Sequence, residues 1–348
     1  MERIDLISDT VTRPTPGMLE AMWKAPVGDD VFGEDPSLNE LEAFAAELFG
    51  MEAALFCPSG TMTNQIAIKV HTRPMDEVIC DINSHIYQYE AGGYAFHSGV
   101  AVNLLHGDRG RLSASQVEAA IKPAYDWLPR TRLVVLENTC NKAGGSIYHL
   151  KRVEPIQRVC RENNLALHLD GARLFNALVE TGESPSDWGK VMDSISICLS
   201  KGLGAPVGSL LLGSWEFIRE ARRTRKAMGG GMRQAGYLAA AGLYALQRHV
   251  HRLREDHLRA KELGDHLQKL PFVEAVRPVE TNIILFDLRG QLMAETFLSR
   301  LAEKGVRASA FGPQTIRMVT HLDITDDMMD KTLACLEELE FQESVLRA

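Results

Sequence analysis

Apolar residues recur at helical spacing in "DPSLNELEAFAAELFGM", where Leu38, Leu41, Phe44, Ala45 and Leu48 share one face and Gly50 marks the stop. "EAALFCPSG" reads as a strand that breaks at Pro58–Gly60, and "TMTNQIAIKVHT" as the helix after it. The runs "EVICD", "AVNLL", "RLVVLEN", "LALHLD", "SISICLS" and "SLLLG" lack strict polar alternation, and amphipathic segments such as "SASQVEAAIK" and "VEPIQRVCREN" separate several of them. Continuous apolar strands interleaved with helices predict an α/β sheet covered on both faces. From "GGGMRQ" to "LGDHLQKL" the pattern predicts one long helix. Beyond Pro271, "FVEAVRP", "TNIILFDL", a helix around "LMAETFLSRLAEKG", "VRASAF", "TIRMVTHL" and a final helix predict a smaller α+β unit. The expected division is a large domain over residues 15–250 and a small one made of residues 251–348 with 1–14, connected by the long helix.

Composition narrows the class. At 348 residues the chain is long enough for a large core. Its formal charge of −8, with no basic block, argues against a nucleic-acid or anionic-membrane partner. The opening "MERIDLISDTVTRP" has no apolar signal core, and no apolar run approaches the length of a membrane span. Cys57, Cys80, Cys140, Cys160, Cys198 and Cys335 form no CxxC pair, and several sit in apolar runs, so they read as reduced core thiols. A cytoplasmic protein is expected.

Four polar constellations fall where strands end, which is where open α/β sheets bind ligands. "PSGTMTN" places Ser59, Gly60 and Thr61 at a strand–turn–helix junction whose free amides suit a phosphate. "LALHLDGARLFNA" ends a strand on Asp170, with Arg173 three residues on as a structural partner or a ligand contact. His168 and Asp170, at alternate positions, also admit a metal reading, although no motif supplies further ligands. "INSHIYQYEAGG" carries His85 before a glycine pair. "SISICLSKGLGAPVGSLLLG" sets Lys201 between two apolar strands, where an ammonium group is unfavourable unless it is used. Together these are the fittings of a pyridoxal phosphate site: a phosphate cradle, an aspartate for the pyridine nitrogen, a ring to stack, and a lysine to form the imine.

The chain resembles the L-threonine aldolases, of the fold-type I (aspartate aminotransferase-like) pyridoxal phosphate enzymes. The resemblance runs nearly end to end through "DLISDTVTRPT", "APVGDDVFGEDP", "PSGTMTNQIA", "HIYQYEAGG", "LENTCN", "LHLDGARLFNA", "ICLSKGLGAPVGSLL", "RKAMGGGMRQAG" and "IRMVTHLD". It implies a mostly parallel seven-stranded sheet with a small C-terminal domain, and retro-aldol cleavage of L-threonine or L-allo-threonine to glycine and acetaldehyde. It implies Lys201 as the Schiff-base lysine, Asp170 on the pyridine nitrogen and Arg173 on the ring oxygen. His85 would stack on the ring and act as candidate base, and Ser59, Gly60 and Thr61 would hold the phosphate. Lys226 and Arg233 would reach in from a neighbouring subunit of a homotetramer, with Ser8 and Arg317 on the substrate carboxylate.

Two positions depart from the family pattern. Cys140 stands after "LENT", where many members carry a histidine that meets the substrate hydroxyl, and Phe32 stands where tyrosine is common. Cys140 is therefore a candidate substrate contact of altered character. A β-eliminating lyase or aminotransferase on the same fold is the alternative activity, since fold does not fix chemistry. A metal-dependent hydrolase and a catalytically silent binding relative are further readings.

Overall fold

The computed structural model describes residues 3–346. After a short strand β1 (Ile4–Asp5), the chain builds β2 (Ala53–Cys57), β3 (Asp76–Asp81), β4 (Ala101–Leu105), β5 (Arg130–Glu137), β6 (Ala166–Gly171), β7 (Ser194–Cys198) and β8 (Ser209–Gly213). These last seven form one sheet in the order β2-β8-β7-β6-β5-β3-β4, parallel except for β8, which runs against both neighbours. The central strands are apolar on both faces because helices cover both. On one side the Pro36–Phe49, Leu150–Glu162 and Gly236–Arg248 helices close the main core over Phe56, Leu136, Leu169 and Ile197. On the other side, Ile66 and Ala67 of the Gly60–His71 helix pack with Leu55, Leu211 and Phe217.

The Pro36–Phe49 helix begins and ends where its sequence dictates. Asp35 accepts the Leu38 amide, proline occupies the first turn, and Gly50 adopts φ 59° to stop it.

The chain then forms β9 (Val273–Val276), β10 (Ile283–Leu288), β11 (Val306–Arg307), β12 (Ser309–Ala310) and β13 (Thr315–Val319). Four of these make an antiparallel sheet, β12-β13-β10-β9, with a separate core around Phe286, Phe297 and Met318. The N-terminal β1 pairs in parallel with β11, Ile4 opposite Val306.

The expected long helix is two helices, Gly236–Arg248 and Leu253–Leu267, and residues 229–233 are not helical. At the junction the hydrogen bonds tighten to three-residue spacing, Leu253 to Val250, Arg254 to His251 and Glu255 to Arg252. The buried His249 ring pins this turn to the Leu203 carbonyl, Nδ1 to oxygen at 2.7 Å. Apolar periodicity on either side does not register such a turn, because His249 and Arg252 at its two ends keep right-handed helical dihedrals.

Candidate active site

The carboxyl ends of β3, β5, β6 and β7 lie side by side, and each bears a polar group at its last residues or just beyond: His85, Cys140, Asp170 and Lys201. The Gly60–His71 helix is drawn onto the same edge. A Cβ on Gly60 would lie 2.6 Å from the Cys198 sulfur, so the helix start packs on the end of β7 because residue 60 has no side chain. Ser59 caps this helix by accepting the Met62 amide, while Ser59 and Thr61 are exposed. The first-turn N–H groups of Gly60 and Thr61 have no intrahelical partner by the geometry of a helix start.

Lys201 is half-buried and makes no side-chain hydrogen bond or ion pair among the described residues. Its carbonyl accepts from Thr12 Oγ1 at 2.9 Å and from the Gly204 amide at 2.8 Å, which fixes the backbone and leaves the amine free. Asp170 is buried and accepts from Asn64 Nδ2 at 2.8 Å and from the Ala172 amide at 3.1 Å.

Asp170 and Arg173 do not pair. Arg173 instead forms a two-pronged bond to Asp9, Nε to Oδ2 at 2.7 Å and Nη2 to Oδ1 at 2.6 Å, with both side chains buried. Burial opposes the Asp9 charge, but the Arg173 guanidinium overcomes it and holds the carboxyl far below the usual carboxylate range. Arg173 Nη1 also reaches Asn141 Oδ1 at 3.4 Å.

Arg317, in the middle of β13, meets the same asparagine oxygen with Nη1 at 2.9 Å and the Ile7 carbonyl with Nη2 at 2.9 Å. Its Nε is buried without a partner, and its Cζ lies 4.6 Å from the centre of the Phe311 ring. Burial, then the neighbouring Arg173 charge, depress its pKa to about 10. Ser8, the residue after Ile7, is buried and caps the Asp9–Val11 turn by accepting from the Thr10 amide.

His85 donates its backbone N–H to Glu137 Oε2 at 2.8 Å, and its Nδ1 lies 3.0 Å from Glu90 Oε1. Burial disfavours its charged form. The Glu90 bond and the charges of Asp170, Glu137 and Glu90 outweigh that and raise its pKa. Glu137 grips a second loop, since its Oε1 accepts the Asn141 amide at 2.9 Å. Burial, then the adjacent Asp170 charge, push its carboxyl up to about 7.

The metal reading of His168 with Asp170 does not fit the contacts. His168 is buried with both ring nitrogens occupied, by Ser194 Oγ at 2.8 Å and Asn64 Oδ1 at 3.2 Å. The Cys140 thiol is enclosed rather than presented, and the turn at Gly110 packs directly against it. Burial, then the Glu137 charge, raise its pKa well above the ordinary thiol value. Lys226 and Arg233 are exposed and turn to other surroundings: Arg233 pairs with Asp29 at 2.9 Å, and Lys226 lines a surface groove of about 1530 Å³ with Arg222 and Trp215. Phe32, in the same loop as Asp29, is also exposed.

Asp9, Asn64, Glu90, Glu137 and Asn141 escape a reading of single residues. Each lies inside a quoted motif, "DLISDTVTRPT", "PSGTMTNQIA", "HIYQYEAGG" or "LENTCN", and a buried carboxylate or amide in such a stretch is the available signal.

The family model described as a β-eliminating lyase matches residues 5–291. Low-specificity L-threonine aldolase 1 of Arabidopsis thaliana is 42% identical over 345 residues, covering 97% of this chain and 96% of that protein. The low specificity L-threonine aldolase of Escherichia coli (strain K12) is 43% identical over 332 residues, covering 95% and 97%. In fold, the threonine aldolase of Leishmania major superposes with a TM-score of 0.84 at 21% identity, over 96% of this chain and 98% of that one. A Sphingomonas wittichii serine palmitoyltransferase superposes at 0.76 and 16% identity, over 96% and 86%. With four strand ends, a helix start and two arginines converging as described, the chain belongs to the β-eliminating lyase family and, within it, to the low-specificity L-threonine aldolases.

Proposed function

We propose that the protein splits the Cα–Cβ bond of L-threonine, L-allo-threonine or a related L-β-hydroxy-α-amino acid, releasing glycine and an aldehyde, which for threonine is acetaldehyde. The carrying observation is the contrast between a free Lys201 amine and the buried, amide-braced Asp170 carboxylate on neighbouring strand ends. These residues fit pyridoxal phosphate. Lys201 would hold its aldehyde carbon, Asp170 its ring nitrogen, Arg173 its ring oxygen, His85 one ring face, and Ser59, Gly60 and Thr61 its phosphate. When bound, this group supplies an electron sink for the pair released from the breaking bond.

The remaining work falls to the chain. Arg317 binds the amino-acid carboxylate through its exposed edge, with Ser8 nearby, and so fixes rotation about Cα. Its buried Nε and its two protein-held nitrogens keep the guanidinium plane from turning. His85 takes the proton of the β-hydroxyl at Nε2, since Nδ1 is engaged by Glu90.

The same reading divides the chain at residues 15–250 and 251–348 with 1–14, and the two separate cores support it. It makes the protein a cytoplasmic homotetramer in which Lys226 and Arg233 serve the phosphate of a neighbouring subunit. Their exposure and the groove beside Lys226 support that arrangement. Six free cysteines, five of them buried, suit a reducing compartment, and no helix among the described residues is long and apolar enough to cross a membrane.

Glycine release from a panel of β-hydroxy amino acids tests the activity. Equimolar glycine and aldehyde are expected, with none from Lys201→Ala. Ammonia and a keto acid without glycine from L-allo-threonine would overturn this reading in favour of β-elimination.

A further inference from the structure

Asn64 lies buried in the second turn of the Gly60–His71 helix, between the two acids nearest the proposed chemistry. Its Nδ2 is 2.8 Å from Asp170 Oδ2 and 2.9 Å from Glu90 Oε1, and its Oδ1 is 3.2 Å from His168 Nε2. An amide nitrogen has two protons, and each is taken by one carboxylate. The oxygen must then accept, so His168 carries its proton on Nε2 and receives one at Nδ1 from the Ser194 hydroxyl at 2.8 Å. That hydroxyl has one proton to give. His71 Nε2, 2.8 Å from the same oxygen, is therefore a donor. Both imidazoles are neutral, as burial requires: it pushes His168 down to about 4 and His71 to about 3.

The other end is equally determined. Glu90 is buried and receives Asn64 Nδ2 on Oε1 and Gln65 Nε2 on Oε2 at 2.5 Å, while His85 Nδ1 lies 3.0 Å from Oε1. A carboxylate surrounded by donors can only accept, so His85 Nδ1 bears a proton. His85 Nε2 has no partner among the described residues. The acids facing His85 are Glu90, Glu137 and Asp170. His85, Glu90 and Asp170 bring ligand atoms within 4.8 Å of one another. Two carboxylates so placed repel unless a donor stands between them. A proton on Glu90 would let it donate to His85 Nδ1, move the imidazole proton to Nε2 and remove the lone pair.

We propose that Asn64 is a positioning residue of this cleavage: one side-chain amide holds Asp170 and Glu90 together as acceptors and, through Glu90, keeps His85 in the tautomer whose Nε2 is free. This rests on the proposed function. It adds a single polarity of hydrogen bonds running from His71 through Ser194, His168 and Asn64 to Glu90, which accepts from His85 on its other side.

The test uses holoenzyme loaded with pyridoxal phosphate and two pH titrations, one of the cofactor's visible absorption and one of kcat/KM for L-threonine. Asn64→Asp keeps the volume and replaces both donors with acceptors. It is expected to lower kcat about tenfold or more with KM little changed. Both the absorption midpoint and the acid limb of the rate profile should move to higher pH by about one unit, because each neighbour gains negative charge. Glu90→Gln removes charge from the His85 side alone, so its acid limb should move to lower pH while the absorption midpoint stays. The double variant Asn64→Asp/Glu90→Gln restores one amide between the two positions, and should return the limb toward wild type with the absorption still displaced.

Asn64→Asp holoenzyme that loses thermal stability but leaves both titrations in place would reduce Asn64 to a packing residue. If that variant does not fold, a Glu90→Gln limb that stays at the wild-type pH overturns the proposal equally. Failure of the proposed function is a different result: wild-type protein that binds the cofactor and releases no glycine.

Discussion

Arg173 and Arg317 touch the same asparagine oxygen and have opposite surroundings. Arg173 is buried, its charge is paired with both oxygens of Asp9, and its Nη1 meets Asn141. Arg317 has no carboxylate partner among the described residues, only an amide oxygen, a carbonyl and an aromatic face. A cation paired inside the protein has its charge already balanced, so it builds the site and offers a ligand only its remaining N–H groups. A cation held in place by neutral groups keeps its charge for an anion from outside. The asymmetry follows from topology: the N-terminal segment brings Asp9 to Arg173, while β13 delivers Arg317 from the smaller sheet.

The strongest test of this contrast is Asp9→Ala. It strands a buried guanidinium, and breaking such a pair costs about 3–5 kcal/mol. Chemical denaturation should show a loss of that order, and Asn282, which also donates to Asp9, adds to it. A loss below about 1 kcal/mol would mean that water replaces the carboxylate and that Arg173 is not built in as described.

Arg317→Gln comes next, and its effect should appear in binding rather than stability. A charge-assisted bond contributes about 1.5–3 kcal/mol, so KM for the amino acid should rise about 10- to 150-fold. The melting temperature should barely change, because no partner carboxylate is left unpaired. A variant that melts early with unchanged KM would assign Arg317 to the structural class instead.

The legible parts of this molecule were those set by short-range rules. Lys201, Asp170 and His85 stand out because strand ends and glycine turns are readable in sequence, as is the Pro36–Phe49 helix with its cap and stop. Partnerships were not legible. Asp170 and Arg173 are three residues apart and look like a pair, yet Arg173 bonds Asp9 at a separation of 164 residues and Asp170 bonds Asn64 at 106. Only the stacking of elements across the sheet decides between such options. Cys140 looked like a group facing substrate, but the turn at Gly110, some thirty residues earlier, encloses its sulfur. The break at residues 249–252 escaped because it depends on the Leu203 carbonyl that His249 meets.

Glu137 sharpens the comparison through pH. It has no arginine or lysine partner among the described residues, and it holds the loops of His85 and Asn141 by two backbone amides. Its pKa stands at about 7 in the folded protein against an ordinary 4.5. A carboxyl raised on folding contributes stability that is complete below its unfolded value and lost as pH rises through the folded one. Wild-type stability should therefore fall between about pH 5 and 8 relative to Glu137→Gln, as followed by urea midpoints across that range. Parallel midpoints in the two proteins would show that Glu137 is ionised throughout.

The smallest effect expected is the most instructive about distance. Lys24 and Glu20 approach to 2.6 Å, the same separation as Arg173 Nη2 and Asp9 Oδ1. Both members of the first pair are mainly solvent-exposed, and the second pair is buried. Water screens the surface pair, and fixing two long side chains offsets what attraction remains. Lys24→Ala should leave the denaturation midpoint, KM and both pH profiles unmoved. A shift comparable to that of Asp9→Ala would show that proximity alone sets the strength of these pairs. The division between a building arginine and a binding one rests on burial and partner charge, and it would then lose its basis.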